Sequence, residues 1–208
     1  MPSMTVAVMG AGNVGGTLAR KWAAAGHRVL LGVRDPSGPR ATALVGELGR
    51  AVAAVSIREA AEDAGVVVFA VPGVAMAGLL ADLRGPGLRG KIVIDATNRL
   101  GGDGPVNSLA ALAKVAPTAH AYRAFNCFGW EVLADPTFDG TAADMFFAGP
   151  DGPSRVTVER LIADVGFRPI WLGGPEHASL VDAVMSIWFG FVFDQGKGRH
   201  LAFKVLGL

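Results

Sequence analysis

The stretch VAVMGAGNVGGTLARKWAAAGHRVLLGVRDP, residues 6–36, decides the fold that we predict for this chain. The apolar run 5–9 predicts a buried strand. A helix is predicted from about 14 to 25, with Gly26 just beyond its end, where glycine commonly terminates helices. The apolar run 28–33 then predicts a second strand, so the stretch reads as a strand–helix–strand unit.

The glycines of this unit fit a dinucleotide-binding pattern. Gly10, Gly12 and Gly15 form G-x-G-x-x-G, which follows the first strand and opens the helix. The first glycine permits a tight turn, the second lets the backbone approach a pyrophosphate, and the third lets helix and strand pack closely. The helix N-terminus adds free N–H groups for an anion. We predict a dinucleotide site, the alternative being a glycine-rich turn that binds no ligand.

The end of the second strand indicates which dinucleotide binds. NAD sites usually place an acidic residue there to hydrogen-bond the ribose hydroxyl. Here the strand ends at Gly32 and Val33, and Arg34 follows. A guanidinium can bind the adenosine 2′-phosphate in a bidentate manner. We therefore expect NADP(H), with Asp35 acting as a turn residue.

Two further side chains lie close to this arginine in sequence. Ser37 and Arg40 follow in the next turn, and we expect them to add contacts to the same phosphate. The alternative is that Arg34 is an ordinary solvated arginine on the surface. The two interpretations differ measurably, because an arginine that binds the 2′-phosphate discriminates NADPH from NADH.

Apolar runs and helix-like segments continue to alternate along the rest of the chain. Strands are predicted near 51–55, 65–71, 91–96, 119–125, 144–149 and 168–172, and helices near 35–49, 56–64, 74–84, 106–115, 153–165 and 175–194. Ser56 and Glu59 have capping-box spacing. The pattern predicts an α/β fold, a Rossmann-type doubly wound parallel sheet with a small C-terminal helical part. We place an NADP-binding domain over 1–150 and the C-terminal part over 151–208.

Residues at the ends of two strands are expected to line the binding crevice, since ligands of such folds bind outside the carboxyl ends of the strands. Ala70, Val71 and Pro72 end one strand, and Thr97 and Asn98 end the next. We expect the second pair to reach the nicotinamide ribose or carboxamide. The alternatives are a routine strand-ending proline for Pro72 and ordinary turn chemistry for Thr97 and Asn98.

The segment AYRAFNCFGWEVLADP, residues 121–136, places Asn126 just past a predicted strand, so we expect it near the site. Cys127 has no obvious base beside it to lower its thiol pKa, and buried packing is expected instead. No metal site is predicted, because no metal-ligand spacing is formed by the histidines His27, His120, His177 and His200.

The composition argues against several classes of function. The 208 residues carry a net charge of +1, with no basic stripe for nucleic acid. The single cysteine excludes an intramolecular disulfide framework. Only MPSM precedes the first apolar run, too little for a secretory signal. The longest apolar segment, 179–193, reads as too short and too interrupted to span a bilayer. We expect a cytoplasmic protein that binds neither nucleic acid nor membrane.

The final predicted helix is apolar on all sides. From Leu180 to Phe193 the clearly polar residues are Asp182 and Ser186. A helix that is apolar all round is expected to be buried all round. Packing against a second copy achieves this, and a twofold dimer is the commonest arrangement. We therefore expect a homodimer through this helix, the alternative being burial within one subunit.

Together these motifs resemble the coenzyme F420-dependent NADP oxidoreductases and, more distantly, the iron-reducing domain of the STEAP proteins. The shared stretches are GAGNVGGTLA (10–19), GHRVLLGVRDP (26–36), AVP (70–72), DATN (95–98), AFNCFGWEVLADP (124–136) and GKGRHLAFKVL (196–206). The glycine motif alone is common to many proteins. The order and spacing of all the stretches in so short a chain are more specific.

The resemblance implies an N-terminal Rossmann domain that holds NADP, with a deazaflavin lying against the nicotinamide in a crevice beside the C-terminal part. The contacts it implies are Gly12, Asn13 and Val14 with the pyrophosphate, Arg34 with the 2′-phosphate, Ala70, Val71 and Pro72 beside the adenosine, and Asn98 and Ala124 near the nicotinamide. Family members often have Ser or Thr where this chain has Val33. One phosphate contact is therefore missing or comes from elsewhere.

The implied function is hydride transfer between NADPH and a deazaflavin (F420) or flavin-like acceptor. Such transfer needs positioning rather than an acid–base pair, and no such pair is evident near Asn98 and Asn126. Two alternatives stay open: a non-catalytic NADP(H)-binding redox sensor, and an NADP-dependent dehydrogenase of a small substrate. Dehydrogenases of the β-hydroxyacid or pyrroline-carboxylate type usually carry a larger helical domain. The acceptor site is to be sought around Asn126 and the aromatic final helix.

Overall fold

The main sheet consists of six parallel strands. A computed structural model describes residues 3–83, 86–101 and 104–207 of the chain. The strands of the main sheet are β1 (Thr5–Met9), β2 (Arg28–Val33), β3 (Val52–Ser56), β4 (Val66–Phe69), β5 (Ile92–Asp95) and β6 (His120–Arg123). Their order is β3-β2-β1-β4-β5-β6, which confirms the predicted Rossmann-type sheet. The order reverses between β1 and β4, and a ligand crevice is expected at that point.

The helices connect these strands and cover the sheet. They are α1 (Asn13–Ala24), α2 (Pro39–Leu48), α3 (Ile57–Asp63), α4 (Met76–Asp82), α5 (Leu109–Val115), α6 (Trp130–Ala134), α7 (Pro153–Val165) and α8 (Ala178–Phe189). Short 3-10 turns lie at Gly49–Ala51, Gly73–Ala75, Pro86–Leu88 and Pro175–His177. The predicted capping box of α3 is present, since Ser56 and Glu59 each bond the other's backbone N–H.

Two apolar layers sandwich the sheet, because successive residues of a strand point to opposite faces. In β1, Val6 and Val8 belong to one layer, and Ala7 and Met9 belong to the other. The larger layer includes the fully buried Trp22 of α1, whose Nε1 donates to a carbonyl oxygen of α7 at 2.9 Å. Both faces of the parallel sheet are thus covered, as its continuous apolar strands require.

The later strands do not extend the main sheet. β9 (Asp144–Phe147) and β10 (Arg168–Trp171) pair in parallel as a separate two-stranded sheet, and β7 (Thr137–Phe138) and β8 (Thr141–Ala142) form a small antiparallel pair. One antiparallel bridge, Arg123 with Ala148, joins β6 to the segment after β9. The predicted alternation of strands and helices in the second half is present, but β9 and β10 pair with each other and do not join the main sheet. The domain boundary near residue 150 stays a prediction, and the β9–β10 pairing crosses it.

The final helical stretch runs from Pro175 to Asp194, since α8 continues into a π-helical turn at Gly190–Asp194. An 18-residue window of this stretch has a mean hydropathy of 1.2, so by length and composition it could cross a membrane. The helical stretch is longer than the apolar segment 179–193 on which the sequence estimate rested. A core helix passes the same test, and Trp188 is buried in the larger layer. Ile187 is 55% exposed, so within one chain the helix is not buried on all sides.

The C-terminal segment returns to the start of β9 and is held there by the fully buried Asp144. Both carboxylate oxygens accept from Arg168 at 2.7 Å, and Lys204 and the backbone N–H of Val205 donate at 3.0 and 2.6 Å. Burial acts to raise the pKa of Asp144, but these hydrogen bonds and charges outweigh it and hold that pKa below its usual value. The carboxylate therefore stabilises the fold above its unfolded-state pKa, and this contribution is lost as pH falls through the lower folded-state pKa.

Replacing Asp144 by asparagine should lower the free energy of unfolding at pH 7 by about 3 kcal/mol, because the variant leaves two cations without their carboxylate. The difference from the wild type should shrink as pH falls, since the wild-type carboxylate itself becomes protonated. Chemical denaturation at pH 7 and at acidic pH measures both effects. The exposed Asp139→Asn is the matched control, and an equal loss in the two variants would contradict this account.

Candidate functional site

The turn after β1 is as tight as the glycine pattern predicts. Gly10 has a φ of +110°, and a Cβ placed there would lie 2.8 Å from the carbonyl oxygen of Ala70. A Cβ on Gly15 would lie 2.1 Å from the carbonyl oxygen of Gly10. Neither position can carry a side chain without moving the backbone. The two glycines therefore fix where α1 begins relative to β1 and β4.

The middle glycine has a different environment. A Cβ on Gly12 would meet no atom within 4 Å, so this residue faces open space. Gly12 is the N-cap of α1, which begins at Asn13. The first turn of a helix presents backbone N–H groups that lack intrahelical partners and favour an anion. Gly12 and the N-terminus of α1 thus form a surface that a pyrophosphate can approach closely.

A cleft of about 530 Å³ opens at this turn and extends to the final helix. Its lining includes many of the residues predicted for the cofactor, namely Gly12, Asn13, Val14, Arg40, Ala70, Val71, Pro72 and Asn98, together with Asn126. The remaining predicted residues, Gly10, Gly15, Arg34, Ser37, Thr97 and Ala124, are not among those that line it. The residues predicted for the cofactor thus form one side of a continuous cleft. This cleft reaches the point between β1 and β4 where the strand order reverses.

The end of β2 has no room for an acidic residue at Gly32. A Cβ there would lie 2.4 Å from the sulfur of Met9, so a carboxylate cannot occupy this position without rearrangement. Arg34 lies just beyond and is exposed. The turn chemistry expected for Asp35 is present, since its Oδ1 accepts from the backbone N–H and the hydroxyl of Ser37 at 3.0 and 2.8 Å. Ser37 is therefore engaged locally by Asp35. Of the two arginines in this region, Arg40 lines the cleft.

The loops after β4 and β5 touch each other. A Cβ on Gly73 would lie 2.5 Å from the backbone nitrogen of Arg99, so glycine permits this contact. Asn98 lies in the cleft, and its amide is held at both ends: Oδ1 accepts from Arg123 at 2.7 Å, and Nδ2 donates to the carbonyl oxygen of Asn126 at 3.0 Å. An amide fixed in this way presents its remaining donor and acceptor capacity in one orientation.

Thr97 takes a different role from its neighbour. It is 1% exposed, and its hydroxyl and backbone N–H donate to Oδ1 of Asp95 at 2.7 and 2.9 Å. The structure therefore gives Thr97 the turn chemistry that was the open alternative. Ala124 is fully buried. Phe125 next to it has a φ of +63°, rare for a bulky residue, and this backbone turn delivers Asn126 to the cleft.

Aromatic side chains form the other side of the cleft. Trp188, Phe189 and Phe193 from the final helical stretch line it, and we call these three residues the aromatic wall. Their ring centroids are 5.2 to 6.1 Å apart in tilted and edge-to-face arrangements. Phe128 and Trp130 also line the cleft. A flat apolar ring is the kind of ligand that such a surface accommodates.

A cation stands at the aromatic wall. The guanidinium of Arg199 lies 5.4 Å from the ring centroid of Trp188 and 5.8 Å from that of Phe193, and Nε donates to Glu131 at 2.6 Å. Partial burial acts to raise the pKa of Glu131, but the bonds from Arg199 hold it below its usual value. Among the described residues that line the cleft, the charged ones are Arg40 and Arg199. The charge of Arg199 is offset by Glu131, with which it forms an ion pair.

Cys127 and the histidines do not form a reactive centre. Burial raises the pKa of the Cys127 thiol to about 12, with the charge of Asp182 acting in the same direction and that of Arg123 opposing it. A thiol at that pKa is no nucleophile at neutral pH, so Cys127 packs in the core, as expected. Within residues 3–83, 86–101 and 104–207, no group of three or more His, Cys, Asp or Glu side chains is arranged to hold a metal ion.

Three features of the site were not assigned from sequence. The acceptor site was expected around the aromatic final helix, but the residues that form the aromatic wall were not singled out. Arg199 was seen only as part of a shared motif, and the buried partners Arg123 and Asp182 were not identified. Apolar periodicity cannot tell which face of a helix meets a cleft. The one signal was Asp182 itself, a lone charge inside an apolar helix, which calls for a buried partner.

Residues 5–99 match the model of a protein family described as NADP oxidoreductase, coenzyme F420-dependent. By sequence this segment resembles the NADP-dependent oxidoreductases of that family, which confirms the expected resemblance. A search of curated proteins finds no match to the chain.

Solved structures show the same fold over nearly the whole chain. A proposed F420-dependent NADP reductase from Arthrobacter sp. FB24 has a TM-score of 0.84 at 24% identity, with 98% of this chain and 99% of that one covered. A hypothetical protein from Sinorhizobium meliloti has a TM-score of 0.68 at 27% identity, covering 83% and 86%. A reductive aminase from Aspergillus terreus, solved with NADPH4, has a TM-score of 0.70 at 22% identity, but this chain covers 63% of it.

Substituting the glycines of the turn one at a time should separate folding from binding. Gly15→Ala should lower the free energy of unfolding by about 1–3 kcal/mol, because the new Cβ overlaps the Gly10 carbonyl oxygen. Gly12→Ala should lower it by less than about 1 kcal/mol, while NADPH binding weakens at least about tenfold because the methyl group occupies the space of the pyrophosphate. Denaturation and NADPH fluorescence titration measure the two effects.

The control for both variants is Gly46→Ala in the exposed face of α2, where an added Cβ meets no atom within 4 Å. It should leave NADPH binding unchanged and raise stability slightly, as alanine does in a helix interior. Undiminished NADPH binding by the Gly12→Ala variant would exclude the turn as the pyrophosphate site.

Proposed function

We propose that this NADP-dependent oxidoreductase transfers hydride directly between NADPH and a flat aromatic acceptor of the deazaflavin or flavin type. The observation that carries the proposal is the single cleft, which joins the glycine turn of the predicted cofactor site to the aromatic wall. Two ring systems can therefore approach one another inside one space. Direct transfer requires the reacting atoms to be about 3–3.5 Å apart, and a shared cleft supplies that proximity.

The dinucleotide side of the cleft fits NADP(H). Gly12 leaves room for the pyrophosphate, and the N-terminus of α1 offers it backbone donors. Arg34 and Arg40 are the cations available to the 2′-phosphate, and Asn98 is the fixed amide near the nicotinamide end. When bound, NADPH supplies the hydride. The protein's own residues hold the dinucleotide, orient its nicotinamide end and exclude water from the space beside it.

The acceptor side suits a molecule with a flat ring. The aromatic wall offers apolar contact, and the ion pair of Arg199 with Glu131 lies at its edge. The description of the matching family and the printed name of the Arthrobacter structure both refer to coenzyme F420. These names support a deazaflavin as the acceptor. Asn126 also lines the cleft, and we expect it to contact one of the two ring systems.

The homodimer and the cytoplasmic location remain proposals. The exposed apolar side chains Leu180 and Ile187 on α8 support a further partner for this helix. They face away from the core, whereas Val181 and Trp188 on the opposite side are buried. A second copy of the chain is the partner that the apolar sequence of this helix suggests.

The variant Arg34→Ala should weaken NADPH binding by about tenfold to a hundredfold, because a charge-assisted contact to the 2′-phosphate is lost. NADH binding should change by less than about twofold, since NADH carries no such phosphate. Titration of each nucleotide against both proteins measures the two affinities. The matched control is the exposed Arg50→Ala, and equal losses for NADPH and NADH would rule out the phosphate assignment.

An acceptor screen tests the reaction itself. NADPH is mixed with the protein and with F420, FMN or a ferric chelate, and its loss of absorbance is followed. We expect rapid oxidation with the deazaflavin or the flavin, at rates that fall when Phe193, the most exposed residue of the aromatic wall, is replaced by alanine. Tight NADPH binding without turnover on any acceptor would instead support a redox sensor.

A further inference from the structure

We propose that Arg123 and Asp182 are positioning residues, a buried ion pair that sets the orientation of Asn98 and so the fit of the nicotinamide end. The inference rests on the proposed function, because it assumes that NADPH occupies the cleft. Neither residue is among those that line the cleft. They act through the side chains and carbonyl groups that they hold.

Arg123 lies at the end of β6 and is fully buried. Its Nε and Nη2 both lie 2.8 Å from Oδ1 of Asp182, and Nη2 also donates to Oδ1 of Asn98 at 2.7 Å. Nη1 donates to the carbonyl oxygens of Asp95, at 3.0 Å, and of Thr97. The planar guanidinium thus engages its donors on both sides, and its rigid geometry fixes the loop after β5 together with the Asn98 amide.

Asp182 ties α8 to the same place. Its Oδ1 also accepts from Nδ2 of Asn126 at 3.3 Å, and its Oδ2 accepts from Nδ2 of Asn107 at 2.7 Å. The loops after β5 and β6 and the final helix therefore meet at one carboxylate. Phe189 of the aromatic wall lies seven residues further along α8, two turns later and on the same face. The ion pair therefore connects Asn98, on one side of the cleft, to the helix that carries the aromatic wall on the other side.

Because this network is buried, its charged groups can adopt few alternative arrangements. A buried charge is stable only when it is paired and hydrogen-bonded, so Arg123 has few alternative arrangements. If Asp182 loses its charge, the guanidinium should shift toward Asp95, whose Oδ1 is 3.5 Å from Nη1. That shift withdraws the donor from Asn98. The amide then loses its fixed orientation, while the glycine turn on the other side of β5 is untouched.

The test compares two ligands that share the adenosine end. Adenosine 2′,5′-bisphosphate lacks the nicotinamide, so the ratio of its Kd to that of NADPH measures what the nicotinamide end contributes. In Asp182→Asn this ratio should fall by about tenfold, while the Kd of the fragment stays within about twofold of the wild type. Asn98→Ala should have the same effect, and combining the two substitutions should add little, since they break one chain of contacts.

The control is Asp194→Asn, an exposed aspartate of the same helical stretch, which should leave both affinities unchanged. Asn107→Ala, which removes the partner of Asp182 Oδ2, should lower the ratio in the same direction but less. It carries the test if Asp182→Asn does not fold, a condition that the circular dichroism spectrum of the variant would reveal.

Equal weakening of both ligands, or losses that add in the double variant, would overturn the positioning role. If the wild type itself binds NADPH no more tightly than the fragment, it is the proposed function that fails.

Discussion

The contact between Gly15 and the carbonyl group of Gly10 is the constraint on which the site depends. A Cβ on Gly15 would lie 2.1 Å from that oxygen, so α1 can start where it does only because the side chain is absent. This start brings the N-terminus of α1 to the carboxyl end of β1, beside the reversal of strand order. Gly12 then faces open space. Together with Asn13 and Val14 at the N-terminus of α1, it lines the cleft, so the surface suited to an anion is part of the cleft wall.

The cleft is assembled from distant parts of the chain. Its dinucleotide side comes from the loops after β1, β4 and β5, within the segment that matches the family model. Its aromatic wall comes from the final helical stretch, and Arg199 comes from the C-terminal segment beyond it. Asp144 anchors the end of that segment, and Arg123 with Asp182 joins the helix to the strand ends. Buried charges thus hold the second half of the protein against the cofactor site.

Much of this was predictable from local sequence. The glycine spacing placed the turn, and the apolar runs placed the six parallel strands, because both signals arise within a few residues. The assignment of Arg34 to the 2′-phosphate stays a prediction, and the crowding at Gly32, where a Cβ would lie 2.4 Å from the Met9 sulfur, disfavours a carboxylate at that position. Turn chemistry was only the alternative for Thr97, and Ser37 was expected at the phosphate, but the hydroxyl groups of both are engaged by an aspartate two residues earlier, Asp95 and Asp35. The split between the two sheets was missed because periodicity does not specify which strands pair.

A crystal structure of the NADPH complex tests the central claim most directly. The account predicts the pyrophosphate at Gly12 and the N-terminus of α1, the 2′-phosphate near Arg34 and Arg40, and the nicotinamide inside the cleft between Asn98 and the aromatic wall. One face of that ring should remain open toward Phe189 and Phe193, where an acceptor can stack. A nicotinamide that lies outside the cleft, or one whose exposed face is covered by protein, would contradict the account.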